Sequence, residues 1–258
     1  VGGCLNRLAA VAANTFRETV RERVLYNLVF FAMLMTLSGL LLGQLSIRQD
    51  AKILKDIGLA AMDLFGTLIA IFIGVGLVSK EIERRSLYPL LVKPLSRGEF
   101  FLGKFTGLVF TLLVNLSVMT LGLYATLLAT GQGADLLLLG AIYPIFLSLV
   151  LVVSLAMLFS TLTSSTLAAV FTVGVVVAGR FSDVVRNMQE VIPGTPVWLV
   201  RALYAVIPNF RNFDFNDRVT YGAPVPPDVL VWVTVYAAAY VAIVLGVGLA
   251  SFRSRDFQ

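Results

Sequence analysis

Few side chains in this 258-residue chain could run a reaction. It has no histidine and a single cysteine, Cys4. That removes the group best suited to acid/base work near neutrality and the commonest zinc and haem ligand, and it leaves no thiol pair to bridge. The densest charge is the run Lys80-Glu81-Ile82-Glu83-Arg84-Arg85. Glu81 and Glu83 read as ion-pairing partners for Arg84, Arg85 or cations of a partner, with a plain solvated charge run as the alternative. Asp63 lies alone inside an apolar run, toward its outer end, and one such carboxylate predicts no proton relay. Gly103-Lys104 is followed by Phe105, so no complete G-x-x-x-x-G-K-[ST] phosphate loop is present. An intramembrane enzyme is therefore the weakest functional class, and any nucleotide site belongs on another polypeptide.

The elements that position these residues follow from composition. Charged residues are 14% and hydrophobic ones 58%, with a mean hydropathy of +0.89. A soluble fold of this size still exposes about a quarter of its unfolded-chain surface, too much for such a composition. The chain reads as an all-α membrane protein and a single permease-like domain over 1–258. A crossing takes about 20 apolar residues, and six runs qualify: 24–45, 57–79, 105–130, 136–159, 161–179 and 229–250. The polar, uncharged run 160–166 reads as a tight turn between the fourth and fifth, and Pro144 as a kink. Residues 5–22 form an amphipathic pattern, with Leu5, Leu8, Ala12, Phe16 and Val20 against Arg7, Arg17 and Arg21. This suits a helix lying on the inner leaflet, in contact with membrane lipid.

Placing both termini inside puts twelve Lys/Arg on the inner side against eight outside, which favours cytoplasmic termini. The first apolar run is a full span rather than the short core of a cleavable leader. The net charge of +5 is spread over membrane flanks and predicts no nucleic-acid partner. The outer segment, 180–228, holds six of the nine prolines. Its run 196–207 reads as a helix stopped by Pro208, and Phe210, Phe213 and Phe215 read as an ordered cap, with a docking surface for a periplasmic partner as the alternative.

Between the second and third spans, the 81–99 loop carries Leu87, Tyr88, Pro89, Leu90, Leu91 and Val92 between charges. Ser86 as N-cap and Pro94 as stop give a short helix over 87–92. Ser96 and Glu99 then form a capping box ahead of the next apolar run, so that helix begins near Arg97, with Lys104 able to snorkel. An amphipathic turn flanked by Lys93, Pro94 and charge suits a groove on a soluble partner or the membrane surface. Asn115, Ser117 and Thr120, mid-span, are candidates for a path or a dimer seam, or for plain interhelical hydrogen bonds.

Taken with the six spans, this loop closely resembles that of ABC-2 type permeases, the membrane subunits of type V ABC transporters. The matching elements are Glu81 and Glu83, the short helix to Val92, Pro94-Leu95-Ser96-Arg97, and Gly103-Lys104. Many members have Gly-Thr where this chain has Arg85-Ser86, and the Arg84-Arg85-Ser86-Leu87-Tyr88 version looks more like the branch tied to multicopper enzyme maturation. The basic ending, Ser251 to Phe257, is also similar to the family's. The resemblance implies a bacterial or archaeal inner-membrane subunit that pairs with a second permease copy. It further implies docking on separate ATPase subunits, which would hold ATP and magnesium, through 81–99 as coupling helix. This chain itself would bind no cofactor or metal and have no catalytic residue. Export is the family's usual direction. The rival reading is a non-transporting anchor that recruits a soluble protein through the same loop.

Overall fold

The computed structural model describes residues 2–19, 30–31, 33–34, 50–84, 97–131, 133–182 and 206–254. Every regular element among them is helical. The helices are α1 (Gly2–Thr19), α2 (Asp50–Arg84), α3 (Arg97–Ala129), α4 (Leu139–Leu162), α5 (Ser165–Arg180), α6 (Asn216–Thr220) and α7 (Pro227–Ser254), with 3-10 turns at Leu136–Leu138 and Phe210–Phe213. Four are long and apolar enough to cross a membrane, over Lys52–Gly76, Gly98–Ala129, Leu136–Leu162 and Pro227–Ser251. The expected first span, 24–45, lies outside the described residues except at 30–31 and 33–34. There Phe30 meets Phe65 of α2 edge-on at 5.2 Å and Phe31 is buried near Gly122 of α3. The expected fifth span appears as α5, whose 16 residues rise only about 24 Å, short of the roughly 30 Å of hydrocarbon.

α4 is the hub. It touches α2, α3, α5 and α7, and its apolar residues are buried nearly all round, which fits its near-continuous Leu/Val sequence. Where α2 crosses it, Gly66 lies against Leu149 and Gly74 against Ala156. Small residues let backbones approach closely when water exclusion supplies no drive between helices. Ser160 of α4 donates to the Val75 carbonyl at 3.3 Å in the same seam. α4 runs through Pro144 and ends at Leu162; Thr163 and Ser164 are extended, and α5 starts at Ser165.

α1 lies along α3. Phe16 meets Phe110 edge-on at 4.9 Å, and Gly107 comes so near the Ala12 carbonyl that a Cβ there would stand 2.7 Å from it. Its Ala12–Phe16 side, expected to lie on the inner leaflet, is thus packed against α3. Thr15 and Thr19 are buried.

One end of the bundle holds the α2–α3 connection, the α4–α5 turn and the end of α7. The other, here the far end, holds the start of α2, the α3–α4 turn, the end of α5 and residues 206–230. Two helices begin earlier than their apolar runs: α2 at Asp50 rather than 57, and α3 at Arg97 rather than 105. Hydropathy misses these turns because they carry charge, and at the far end the charges are paired. Lys55 donates to Asp135 Oδ2 at 2.7 Å, and Lys52 stands 5.1 Å from the Tyr221 ring. Asp135 also caps the Leu136–Leu138 turn through Leu137 N at 3.0 Å, while its carbonyl accepts from Tyr124 Oη at 2.9 Å.

The Lys55 hydrogen bond holds the Asp135 carboxyl below its ordinary value of 3.8, against the opposing effect of partial burial. A carboxylate depressed in the folded state stabilises it above the unfolded pKa, and that contribution is lost as pH falls through the folded pKa. Asp135→Asn keeps the cap acceptor and removes the charge. It is expected to cost about 1–2 kcal/mol at pH 7, between the exposed and fully buried cases. In thermal unfolding in detergent, the gap from wild type should narrow as pH falls below 3.8 and close only below the depressed native pKa, where the native carboxyl is neutral too.

Candidate functional site

At the connection end, the structure puts Glu81, Glu83 and Arg84 on the final turn of α2 and Arg97 at the first residue of α3. Glu99 occupies the first turn of α3, where a carboxylate complements the helix dipole. Arg85, Leu87, Tyr88, Pro89, Leu90, Leu91, Lys93, Pro94 and Ser96 lie outside the described residues. Lys104 does not snorkel to water: it is buried, with Nζ 4.9 Å from the centroid of the Phe100 ring, a cation–π placement. Gly98 stands five residues before Gly103, so Gly98–Lys104 has the glycine and lysine spacing of a phosphate loop. Phe105 replaces the metal-holding hydroxyl, and the whole stretch is α-helix, so it offers no open nest of amides.

The three mid-span polar residues of α3 do not share a face. Ser117 is exposed and Thr120 half-buried, and each donates back to its own helix, to Leu113 and Leu116 carbonyls at 2.7 Å. Such bonds satisfy a hydroxyl without a neighbour. Asn115 points inward, 1% exposed; its Nδ2 reaches only Met119 Sδ at 3.7 Å and its Oδ1 has no partner.

The best-built polar cluster joins α2 to the far end and was not assembled by the sequence reading. Arg180, the last residue of α5, donates through Nη1 to Asp63 and through Nη2 to Thr67 Oγ1 at 3.2 Å. A cation suits the negative end of a helix dipole, and the pair neutralises the lone carboxylate of α2. Asp63 lies two turns past Lys55, about 12 Å down the helix, so α5 ends at that depth instead of at the surface. Residues 206–222 fill the space above it. Gly179 is where they meet: a Cβ there would lie 2.2 Å from the Pro208 carbonyl and 2.6 Å from Phe210. Phe210 and Phe213 are buried, and their segment touches α4 and α5. Ser182 donates to Asn209 Oδ1 at 2.9 Å, and Asn209 N donates to Tyr236 Oη of α7 at 2.8 Å. The phenylalanines thus belong to an ordered cap. The expected helix over 196–207 falls almost wholly outside the described residues. The available signal for the ion pair was the need of Asp63 for a partner, with Arg180 closing an unusually short apolar run.

Among the described residues no group of three His, Cys, Asp or Glu could hold a metal. The architecture is that of a polytopic helical membrane protein with charged helix ends on one side and a packed polar cap on the other. A family model described as ABC-2 family transporter protein matches residues 9–182, about two thirds of the chain. The protein belongs to that family and is a membrane permease of the ABC transporter class; the match includes α1 to α5 and the 81–99 loop, while the cap and α7 lie beyond it. Comparison with curated proteins gives no significant match.

Removing one member of the intramembrane pair leaves the other charge uncompensated. The side chains are 39% and 17% exposed, so Arg180→Leu and Asp63→Asn should each lower stability by about 1–2 kcal/mol, between the surface and the fully buried cases. The double variant should lose clearly less than the sum, a coupling readable from a thermal double-mutant cycle. Additive losses would show that the two side chains do not act as a pair.

Proposed function

We propose that the protein is the membrane-spanning subunit of an ATP-driven exporter, and that a separate ATPase docks on the 81–99 loop. The observation that carries this is the family match across that loop, together with the charged helix ends that present it. α2 continues as helix through Lys80–Arg84, about 7 Å beyond the apolar run that ends at Ser79, and α3 resumes at Arg97. Both ends of the connection therefore stand in water at the membrane surface. In this reading Tyr88, Leu90 and Leu91 supply the apolar contacts to the ATPase. Glu81, Glu83, Arg84 and Arg85 set the angle of the loop helix through ion pairs, and Pro94-Leu95-Ser96-Arg97 starts α3. ATP and magnesium bind the partner. A second permease copy completes the transporter, and the loop and both termini face the cytoplasm of a bacterial or archaeal cell.

ATPase closure would push on the loop and, through it, on α2 and α3. α2 is one helix from Asp50 to Arg84 and carries Asp63, so a displacement at the loop is delivered to the Arg180 pair and to the cap it supports. Rocking of the bundle between inward-open and outward-open states would then open and close the far end. An anchor that only recruits a soluble protein has no use for such a connection.

Leu90→Asp with Leu91→Asp should abolish co-purification of the ATPase while leaving membrane insertion intact; retention of the ATPase would reject the docking role. Limited proteolysis of sealed vesicles should cut 84–97 from the cytoplasmic side and 209–221 from the opposite side. The reverse pattern would invert the topology.

A further inference from the structure

A cleft of about 490 Å³ opens between the 211–215 segment and the first turns of α7. One wall is Val229, Trp232, Val233 and Tyr236, spaced to share one helix face. The other is Arg211, Asn212 and Phe215. Its size falls within the range of small-molecule sites. We propose that this cleft binds an anionic phospholipid from the leaflet at the far end, with the phosphate on Arg211 and Asn212 and the glycerol and upper chains along Trp232, Phe215 and Tyr236.

The chemistry of the walls is divided as such a ligand is divided. Among the described residues that line it there is one cation and no anion, and a guanidinium presents paired donors that match phosphate oxygens. The remaining surface is apolar or aromatic. The depth agrees. Trp232 is five residues into α7, about 8 Å from Pro227 along the axis, at the level where indole rings favour the head-group zone. It is 74% exposed, and its neighbours Val231 and Val235 are 62% and 53% exposed. No described residue covers that side of α7, so a lipid could enter the cleft sideways along the apolar helix face. Its walls are also fixed in place. Arg211 N donates to Asn209 Oδ1 at 3.0 Å, Asn209 N to Tyr236 Oη at 2.8 Å, and the Phe213 and Tyr236 rings lie 6.0 Å apart. Those contacts hold the backbone of Arg211 against α7 before any lipid arrives. This site is independent of the ATPase-docking reading, since it uses neither the 81–99 loop nor nucleotide.

The chain has two tryptophans, Trp198 and Trp232, so a Trp198→Phe background leaves Trp232 as the only indole reporter. In nanodiscs of neutral lipid, tail-brominated phosphatidylglycerol and phosphatidylcholine would be titrated separately and Trp232 fluorescence followed. The expected result is half-quenching at an about fivefold lower mole fraction of the anionic lipid, the equivalent of about 1 kcal/mol for one basic residue at the membrane surface. Arg211→Gln should remove the preference and Arg211→Lys should keep most of it, which separates lost charge from lost fold. Val229→Phe, which narrows the cleft with Arg211 intact, should also reduce it. Four outcomes would overturn the proposal: identical curves for the two lipids, a preference that survives Arg211→Gln, displacement of the lipid by inorganic phosphate alone, or shielding of Trp232 from both lipids by a second copy of the chain.

Discussion

α5 stops at about 24 Å, short of the roughly 30 Å of hydrocarbon, and residues 206–222 close over its end. The ion pair between Arg180 and Asp63 fixes where that happens. It cancels two charges that would each be costly in hydrocarbon and seats the end of α5 against α2. It also leaves a floor on which Phe210 and Phe213 pack and Asn209 can bridge α5 to α7. Had α5 continued for two more turns, the space now held by 206–222 would not exist. The cap and the cleft beside α7 both descend from this one short helix.

Much of the bundle was legible because the bilayer imposes a simple rule on sequence. Long apolar runs must be helices, and the runs at 57–79, 105–130, 136–159 and 229–250 coincide with long helices, save for Thr130 and the 3-10 turn at Leu136–Leu138. What hydropathy could not show was the extension of α2 back to Asp50. The turn holding Lys52, Lys55 and Asp56 reads as a solvated loop until Asp135 and Tyr221, distant in sequence, are brought opposite two of those lysines. The same blindness applies to the candidate seam on α3. Asn115, Ser117 and Thr120 look alike in a list of polar residues. Their positions around the helix separate two self-satisfied hydroxyls from one inward amide. The loop over 85–96, which holds most of the candidate functional residues, lies outside the described residues, and its role was legible only through its resemblance to a family.

α2 and α4 together form the mechanical axis of the protein. Gly66 makes room for the Leu149 side chain, and Gly74 lets α2 come close to Ala156 and the Val153 backbone of α4. α3 is held more loosely on its outward side, where Phe110, Leu113, Leu121 and Leu128 are exposed.

The seat of α1 on Gly107 has a consequence in time. Ala12 and Thr15 meet a residue made about 90 positions later, and chains grow at roughly 5–20 residues per second. For something like 5 to 20 s after its own synthesis, α1 has no α3 to lie on. An amphipathic helix with arginines on one side has a natural resting place in that interval, the membrane surface. The amphipathic pattern at the N-terminus thus suits two successive environments: a head-group surface while the ribosome is still at work, and the face of α3 once the third helix has been inserted.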